Sequence, residues 1–165
     1  MIGPKCPVRV CGLYLPNGNP TPGPKYDYKL AWMERMLTRT RALLGDEQPL
    51  VLCGDYNIIP QAEDAANPQN WLTDALYLPA SRAAYQRLLN LGLTDAIRAQ
   101  NPNPGTYTYW DFQAGAWDRN NGIRIDHLLL SPQAADLLQG SGIDKSVRGR
   151  DKPSDHVPVW IDLDA

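Results

Sequence analysis

The hydrophobic and polar positions of the chain predict strands and helices that alternate along the sequence. Apolar stretches at Val8–Leu15 and Leu50–Cys53 are typical of buried strands. From Tyr28 to Leu44 the apolar residues recur at helical spacing, and Gly45 is expected to end that helix. A further helix is expected over Ser81–Leu91, with Ser81 as its N-cap.

The second half of the chain predicts four strands and one short helix. The strands are expected at Tyr107–Phe112, Ile123–Leu130, Gly142–Arg148 and Val157–Leu163, and the helix at Pro132–Leu138. The predicted order is therefore β-α-β-α-β-β-α-β-β. Helices interleaved with strands indicate the α/β or α+β class with a mixed sheet.

Length and composition fit one folded domain. The chain has 165 residues, of which 43% are hydrophobic, enough for a core of its own. No apolar run approaches the roughly 20 residues that cross a membrane, and Met1–Pro7 lacks the apolar segment of a secretory leader. The three cysteines, Cys6, Cys11 and Cys53, form no disulfide or CxxC pattern, so we predict a cytoplasmic protein with reduced thiols.

The charge of the chain limits how it could meet nucleic acid. A net charge of −2 argues against sequence-independent coating of nucleic acid by a basic surface. A local basic groove is still compatible with this charge, and Arg148, Arg150 and Lys152 form a basic cluster near the C-terminus.

The motif GDYN places two polar side chains directly after the strand Leu50–Cys53. If the backbone stays extended, the spacing of two puts Asp55 and Asn57 on the same side. A carboxylate there can take a proton from water, and a carboxamide can fix a phosphate oxygen. Alone, the motif is more typical of a polar turn, since Asp and Asn are common there.

The motif SDH lies where a loop meets the last predicted strand. His156 can act there as a cation against phosphate or as a proton carrier near pH 7. A serine-hydrolase triad of Ser154, Asp155 and His156 is excluded, because neighbouring residues on an extended chain point apart. A solvated loop is the alternative interpretation of this motif.

Asp126 lies inside an apolar strand and therefore needs a partner. The candidates are Arg124, two residues away on the same face, and a histidine from another strand. His127 points the other way from Asp126, and we predict that it is a structural histidine.

Two aromatic features complete the candidate site. Tyr14 ends the first strand, where its hydroxyl could reach a phosphate or its ring could serve packing. The aromatic stretch Tyr107–Phe112 includes Tyr109 and is expected to be mostly core, with room for individual rings to stack on a nucleotide.

Taken in order, six motifs resemble the exonuclease III family of abasic-site DNA endonucleases. They are YLPNG (14–18), LVLCGDYN (50–57), GLTDAIR (92–98), YTYWD (107–111), GIRIDHLLLS (122–131) and KPSDHVPVW (152–160). The resemblance covers nearly the whole chain. It implies part of a four-layered α/β sandwich of the DNase I-like type, in which two facing sheets carry outer helices.

The resemblance also implies roles at matching positions. Asp55 would align or deprotonate the attacking water, and Asn57 would orient the phosphate. His156 would contact the scissile phosphate with Asp126 as its carboxylate partner. The remaining matching positions are Asp155 at the metal, Tyr14 at the phosphate or leaving group, Tyr109, Ile123 and Ile125 in an apolar pocket for the base-less sugar, and Asn120 on the substrate side.

The implied activity is cleavage of duplex DNA 5′ to an abasic site and trimming of 3′ ends, with Mg²⁺ or Mn²⁺. Family members carry a further N-terminal segment with the principal metal-ligating Glu. We therefore expect residues 1–165 to be a single domain that forms the C-terminal portion of this fold, and to be impaired alone. We also expect an apolar sheet face that a second copy or a separate chain covers.

Two other functions remain open from the sequence. One is a phosphodiesterase or phosphatase of the same fold that acts on RNA, lipid headgroups or inositol phosphates. The other is a non-catalytic domain that binds DNA or a protein partner.

Overall fold

The computed structural model describes residues 7–165 as two β-sheets with helices packed against them. The helices and strands, in chain order, are β1 (Arg9–Tyr14), α1 (Pro24–Leu44), β2 (Leu50–Asp55), α2 (Pro79–Leu89), β3 (Thr94–Asp95), α3 (Ala96–Gln100), β4 (Asp126–Leu130), α4 (Pro132–Ala135), β5 (Leu138–Ile143) and β6 (Val159–Leu163). Short 3₁₀ turns lie at Ala62–Asp64, Pro68–Trp71 and Lys145–Gly149. None of the helices in residues 7–165 is both long and apolar enough to cross a membrane.

The larger sheet has four strands in the order β1-β2-β4-β3. β1 and β2 are parallel, whereas β4 runs antiparallel to both β2 and β3. The parallel pair needs a crossover, and α1 provides it. The predicted α/β class, with helices flanking a mixed sheet, is confirmed.

One face of this sheet carries the two long helices, α1 and α2. Met33 and Leu37 lie one turn apart on α1 and point into a cluster with Leu52, Tyr56 and Tyr85. Each fully buried side chain of this size contributes about 1.5–3 kcal/mol. The packing of α1 and α2 therefore fixes the sheet on this side.

The opposite face packs against a second, two-stranded sheet of β5 and β6. Leu128 and Leu130 of β4 meet Val159 and Ile161 of β6. The apolar face expected from the sequence is therefore covered in part by this chain itself. At the open edge, Val10 of β1 is 63% exposed.

Gly54 allows β1 and β2 to approach each other at the end of the sheet. Its φ of 143° is one that other residues rarely adopt. A Cβ at this position would lie 1.9 Å from the carbonyl oxygen of Leu13, its neighbour across the sheet. Only glycine therefore fits before Asp55.

The prediction of a strand at Tyr107–Phe112 is wrong. The segment is irregular and touches its neighbours through single bridges, from Tyr109 to Ile123 and to His156. The reason is Thr108, whose hydroxyl accepts hydrogen bonds from the backbone amides of Ile125 and Asp126, both at 3.1 Å. The Thr108 hydroxyl thus takes the place of backbone carbonyls as the acceptor for these two amides. As a result, the strand predicted from Ile123 begins only at Asp126.

The predicted boundaries after β4 are also wrong. The helix expected at Pro132–Leu138 ends at Ala135, and β5 begins at Leu138. The strand expected at Gly142–Arg148 ends at Ile143. Glycines at 140 and 142 gave no apolar signal, but they leave room for the Trp160 ring over β5.

The cap of the second long helix was misplaced. α2 begins at Pro79, and Ser81 lies within its first turn. The Ser81 hydroxyl donates to the carbonyl of Ala75 at 2.6 Å. The short α3 was not predicted, since five residues give no periodic signal, although the Asp95 side chain caps it by accepting from the Arg98 amide.

Cys11 and Cys53 are free thiols, as predicted, and both are partly buried. Burial raises the pKa of the Cys53 thiol. The prediction for Cys6 lies outside the described residues.

Replacement of Gly54 by alanine is expected to destabilise the fold by on the order of 3 kcal/mol, because the methyl group meets the Leu13 carbonyl and the backbone is strained. Urea unfolding followed by circular dichroism measures this. The control is Gly12→Ala, where an added Cβ has nothing within 4 Å, and a change within about 0.5 kcal/mol is expected. Equal stability of the two variants would contradict the close approach.

Candidate active site

Three adjacent strands bring three of the predicted residues into one row. The register of β1 and β2 places Tyr14 beside Asp55, and the register of β2 and β4 places Asp55 beside Asp126. All three residues lie at the same edge of the sheet. Strand pairing alone therefore places a phenol and two carboxylates next to each other.

Asp55 and Asn57 are close together, but not for the reason that the spacing suggested. The backbone is not extended here, because Asn57 adopts a φ of 48°. The carboxylate of Asp55 accepts from the Asn57 backbone amide at 2.7 Å and from its side-chain amide at 3.0 Å. The motif forms a tight polar turn, and asparagine tolerates the left-handed conformation that this turn needs.

The Asn57 side chain is buried and fully engaged. Its amide nitrogen also donates to the carbonyl of Leu15 at 2.8 Å, and its oxygen accepts from the side chain of Asn17 at 3.2 Å. In this arrangement Asn57 orients the Asp55 carboxylate.

Asp126 has a histidine as its partner. The Nδ1 atom of His156 donates to Asp126 Oδ2 at 2.9 Å, and the Tyr109 ring packs edge-on against the imidazole at 5.0 Å. The alternative partner, Arg124, does not contact Asp126. It is held by Asp64 and Asp95, each at 2.7 Å.

The electrostatics of the row favour proton transfer near neutral pH. Burial raises the pKa of Asp55 to about 6, even though the hydrogen bond from Asn57 acts against this rise. Burial lowers the pKa of His156, but the hydrogen bond to Asp126 and nearby carboxylates outweigh that effect and raise it overall. The row therefore holds a carboxylate that can accept a proton, beside a histidine whose charged form is favoured more than that of a free imidazole.

His127 is structural, as predicted. It is buried, its Nδ1 accepts from Arg124 at 3.2 Å, and its Nε2 donates to the carbonyl of Ile58 at 2.9 Å. Burial and the neighbouring Arg124 lower its pKa to about 4. His127 is thus buried with a lowered pKa, whereas His156 lies at the cleft with a raised pKa.

The row borders a cleft of about 290 Å³ with a polar side and an apolar side. Its apolar wall contains the predicted Tyr109, Ile123 and Ile125, together with Trp71 and Leu76, which the sequence did not indicate. Ile123 and Ile125 are almost completely buried, so they support the wall from behind.

Three polar residues of the cleft were not predicted as site residues. The side-chain amide of Asn17 donates to the side-chain oxygen of Asn57. Asn19 donates to both carboxylate oxygens of Asp74 at 3.1 Å, and both residues line the cleft. The motif YLPNG was the available signal for Asn17, whereas nothing local marked Asp74.

Asn120 does not join the cleft in this structure. Its side-chain oxygen accepts from Lys145 at 2.8 Å and from the Trp110 indole at 3.3 Å. Its role on the substrate side stays a prediction.

One of the three residues of the predicted basic cluster is buried and therefore does not add to an exposed basic surface. Arg148 is buried and donates to the carbonyls of Trp110 and Asp111, while its guanidinium lies 4.8 Å from the centre of the Phe112 ring. Arg150 and Lys152 are exposed.

Asp155 lines the cleft, and its carboxylate accepts from the Ser154 hydroxyl at 3.3 Å. Within residues 7–165, no three acidic, histidine or cysteine side chains converge on one point. The donors present are hard oxygens, of the kind that Mg²⁺ and Mn²⁺ bind. They fit a divalent cation only as part of a shell that water and phosphate oxygens would complete.

Comparison with known proteins is consistent with this geometry. The sequence pattern of the Endonuclease/Exonuclease/phosphatase family matches residues 2–156. The chain belongs to this family. Exodeoxyribonuclease III of Haemophilus influenzae is 37% identical over 122 residues, which are 70% of this chain and 46% of that protein.

Two solved structures of the family resemble the chain closely. The 3′ phosphatase NExo from Neisseria, bound to a product DNA hairpin, has a TM-score of 0.92 and 35% identity. An AP endonuclease from Archaeoglobus fulgidus has a TM-score of 0.89 and 32% identity. They confirm the DNase I-like fold. This chain covers 62% and 61% of theirs, so it spans about half to three fifths of the length of these family members.

The two histidines give a direct test of the electrostatics by NMR titration in the presence of a chelator. His156 is expected to titrate above its ordinary value of 6.5 and His127 near 4. Since the raised pKa of His156 reflects its partners, it contributes stability below pH 6.5 that is lost as pH rises through the folded pKa. Asp126→Asn should lower the His156 pKa and leave His127 unchanged. Two titrations near 6.5 would contradict the assignment.

Proposed function

We propose that this chain carries the phosphodiester-cleaving site of a DNA repair hydrolase that acts at abasic sites and 3′ ends. The observation that carries this proposal is the convergence of Asp55, Asn57 and the Asp126–His156 pair at one edge of the sheet. The names of the similar proteins support it, since they are an exodeoxyribonuclease, an AP endonuclease and a 3′ phosphatase with bound DNA.

In the proposed reaction, water attacks phosphorus and gives its proton to Asp55, while the bond between phosphorus and the leaving oxygen breaks and that oxygen takes a proton from solvent. The pKa of Asp55, at about 6, leaves it mostly ionised at pH 7 yet basic enough to accept that proton. Asn57 holds the carboxylate in position through its two hydrogen bonds. Because the Asn57 side chain already contacts Asp55, Leu15 and Asn17, it acts in our proposal through Asp55 rather than by a contact with the phosphate.

His156 stabilises the negative charge that develops on the phosphate. Asp126 orients the imidazole through their hydrogen bond and favours its charged form. Tyr14 is 73% exposed, and its hydroxyl is available to the phosphate or the leaving oxygen.

We propose that Asp155 binds Mg²⁺ or Mn²⁺ with water and substrate oxygens. When bound, the cation supplies charge stabilisation at the phosphate. One carboxylate holds a hard cation weakly, so we propose that residues 1–165 alone cleave slowly. This proposal concerns rate, and it is separate from the reaction type.

The apolar wall of Tyr109 and Trp71, backed by Ile123 and Ile125, suits a sugar without a base. A normal nucleotide presents a polar base edge that finds no partner on such a wall. The wall therefore favours DNA with an abasic site over lipid or inositol phosphates.

We also propose self-association through the sheet edge around Val10, where an edge strand carries an exposed apolar side chain. Sedimentation at micromolar concentration should show a dimer that Val10→Asp dissociates. A well-folded monomer would contradict this proposal.

The cleavage assay uses end-labelled duplexes that carry an abasic site or a 3′ phosphate, with Mg²⁺ added or chelated. Slow, cation-dependent cleavage is expected, and Asp55→Asn or His156→Gln should lower the rate by about 100-fold or more because each removes a group that acts on the reacting atoms. Asp162→Asn, on the exposed side of β6, is the matched control and should leave the rate unchanged.

RNA and phospholipid in the same assay test the alternative substrates. Preferred cleavage of either would replace the DNA proposal, and cation-independent DNA binding without cleavage would favour a non-catalytic domain. Cleavage as fast as that of a relative of full length would contradict only the proposed impairment.

A further inference from the structure

Lys29 is a buried lysine behind the cleft. It lies on α1, its side chain is completely buried, and its Nζ donates to three backbone carbonyls. The acceptors are Asn57 at 2.6 Å, Asn17 at 2.9 Å and Ala75 at 3.2 Å. An ammonium group has three N–H donors, so each is used once.

The three carbonyls belong to segments that line the cleft. Asn17 follows β1, Asn57 follows β2, and Ala75 lies between Asp74 and Leu76 in the segment before α2. All three carbonyls belong to residues outside the strands. The Lys29 ammonium is thus a common point of attachment for three walls of the cleft.

Two of these carbonyls belong to Asn17 and Asn57, whose side-chain amides lead to Asp55. Asn17 contacts Asn57, and Asn57 in turn donates to Asp55. Because Lys29 binds the backbone carbonyls of both asparagines, their side chains remain available for these contacts. A chain of hydrogen bonds therefore runs from Lys29 to the Asp55 carboxylate.

The turn at Gly18 packs directly against the Lys29 side chain. Gly18 has a φ of 94°, and a Cβ there would lie 2.7 Å from the Cδ of Lys29. A glycine thus lets the turn after Asn17 close over the lysine stem. The same turn places the Asn17 carbonyl on the ammonium.

Burial of an ammonium without a contacting carboxylate is costly. Burial lowers the pKa of Lys29 to about 7, although the charges of Asp74 and Asp55 oppose this shift. An apolar side chain of similar volume would fill the space without that cost. Packing alone therefore does not account for a lysine at this position.

We propose that Lys29 is a positioning residue whose ammonium, by holding the carbonyls of Asn17, Asn57 and Ala75, sets the geometry of the two cleft amides around Asp55. The inference rests on the proposed function for its effect on rate. Lys29 itself touches neither substrate nor the reacting atoms. A purely structural lysine would affect stability without moving the side-chain amides of Asn17 and Asn57.

The experiment compares the full 165-residue chain with Lys29→Met, Lys29→Arg and the matched control Lys25→Met, an exposed lysine one turn earlier on α1. Side-chain amide resonances of Asn17 and Asn57 in ¹⁵N spectra give a readout that needs no activity. The kcat and KM for the abasic-site duplex give the second readout.

We expect Lys29→Met to shift or broaden both amide resonances. It should lower kcat by about tenfold or more while KM changes by less than about twofold, since misplacement by a fraction of an ångström costs rate more than binding. Lys29→Arg should recover part of kcat, and Lys25→Met should match the unaltered chain.

Unchanged resonances with unchanged kcat in Lys29→Met would overturn the inference, and so would equal losses in Lys29→Met and Lys25→Met. If Lys29→Met does not fold, Lys29→Arg decides by the same resonances, and unaltered amide positions there with a lost kcat would contradict positioning. If the unaltered chain cleaves no DNA, the proposed function fails, while the amide resonances still test Lys29.

Discussion

The close approach of β1 and β2 at Gly54 is the constraint on which the candidate site depends. It allows the two parallel strands to stay paired to their last residues, so that Tyr14 and Asp55 end side by side. β4 then adds Asp126 to the same row. A larger residue at position 54 would part the strands where the polar side chains must meet. Backbone packing thus sets where the polar side chains of this row lie.

Two groups of charged residues near the cleft lie in different environments. Arg124, Asp64 and Asp95 form a largely buried network that includes His127 and in which each charge has a partner. Asp126 and His156 form a pair at the cleft, where both side chains are partly exposed and the pKa of the histidine is raised. The same residue types are therefore structural in the first network and, in our proposal, reactive in the second. Burial and charge partners, rather than residue identity, make this difference.

The sequence predicted the elements whose side chains carry their own signal. β1, β2 and α1 followed from apolar runs, and Tyr14 and Asp55 were expected at strand ends. The roles of Tyr14, Asp55 and Asp126 came from the family resemblance, and only the strand register showed that they form a row. The sequence could not predict contacts made by loops distant in sequence, such as those of Lys29 with three carbonyls, because no local pattern encodes them. The aromatic stretch was misassigned since the hydroxyl of Thr108 takes over hydrogen bonds that a strand would make.

The central claim is that DNA phosphate binds in the cleft beside Asp55 and His156. A ¹⁵N NMR titration of the 165-residue chain with a short duplex that carries a 3′ phosphate, in the presence of Mg²⁺, locates the contact without requiring turnover. We predict chemical-shift changes in the side-chain amides of Asn17 and Asn57 and in the backbone amide of Tyr109. Shifts confined to the surface around Phe112, with none at the cleft, would contradict it.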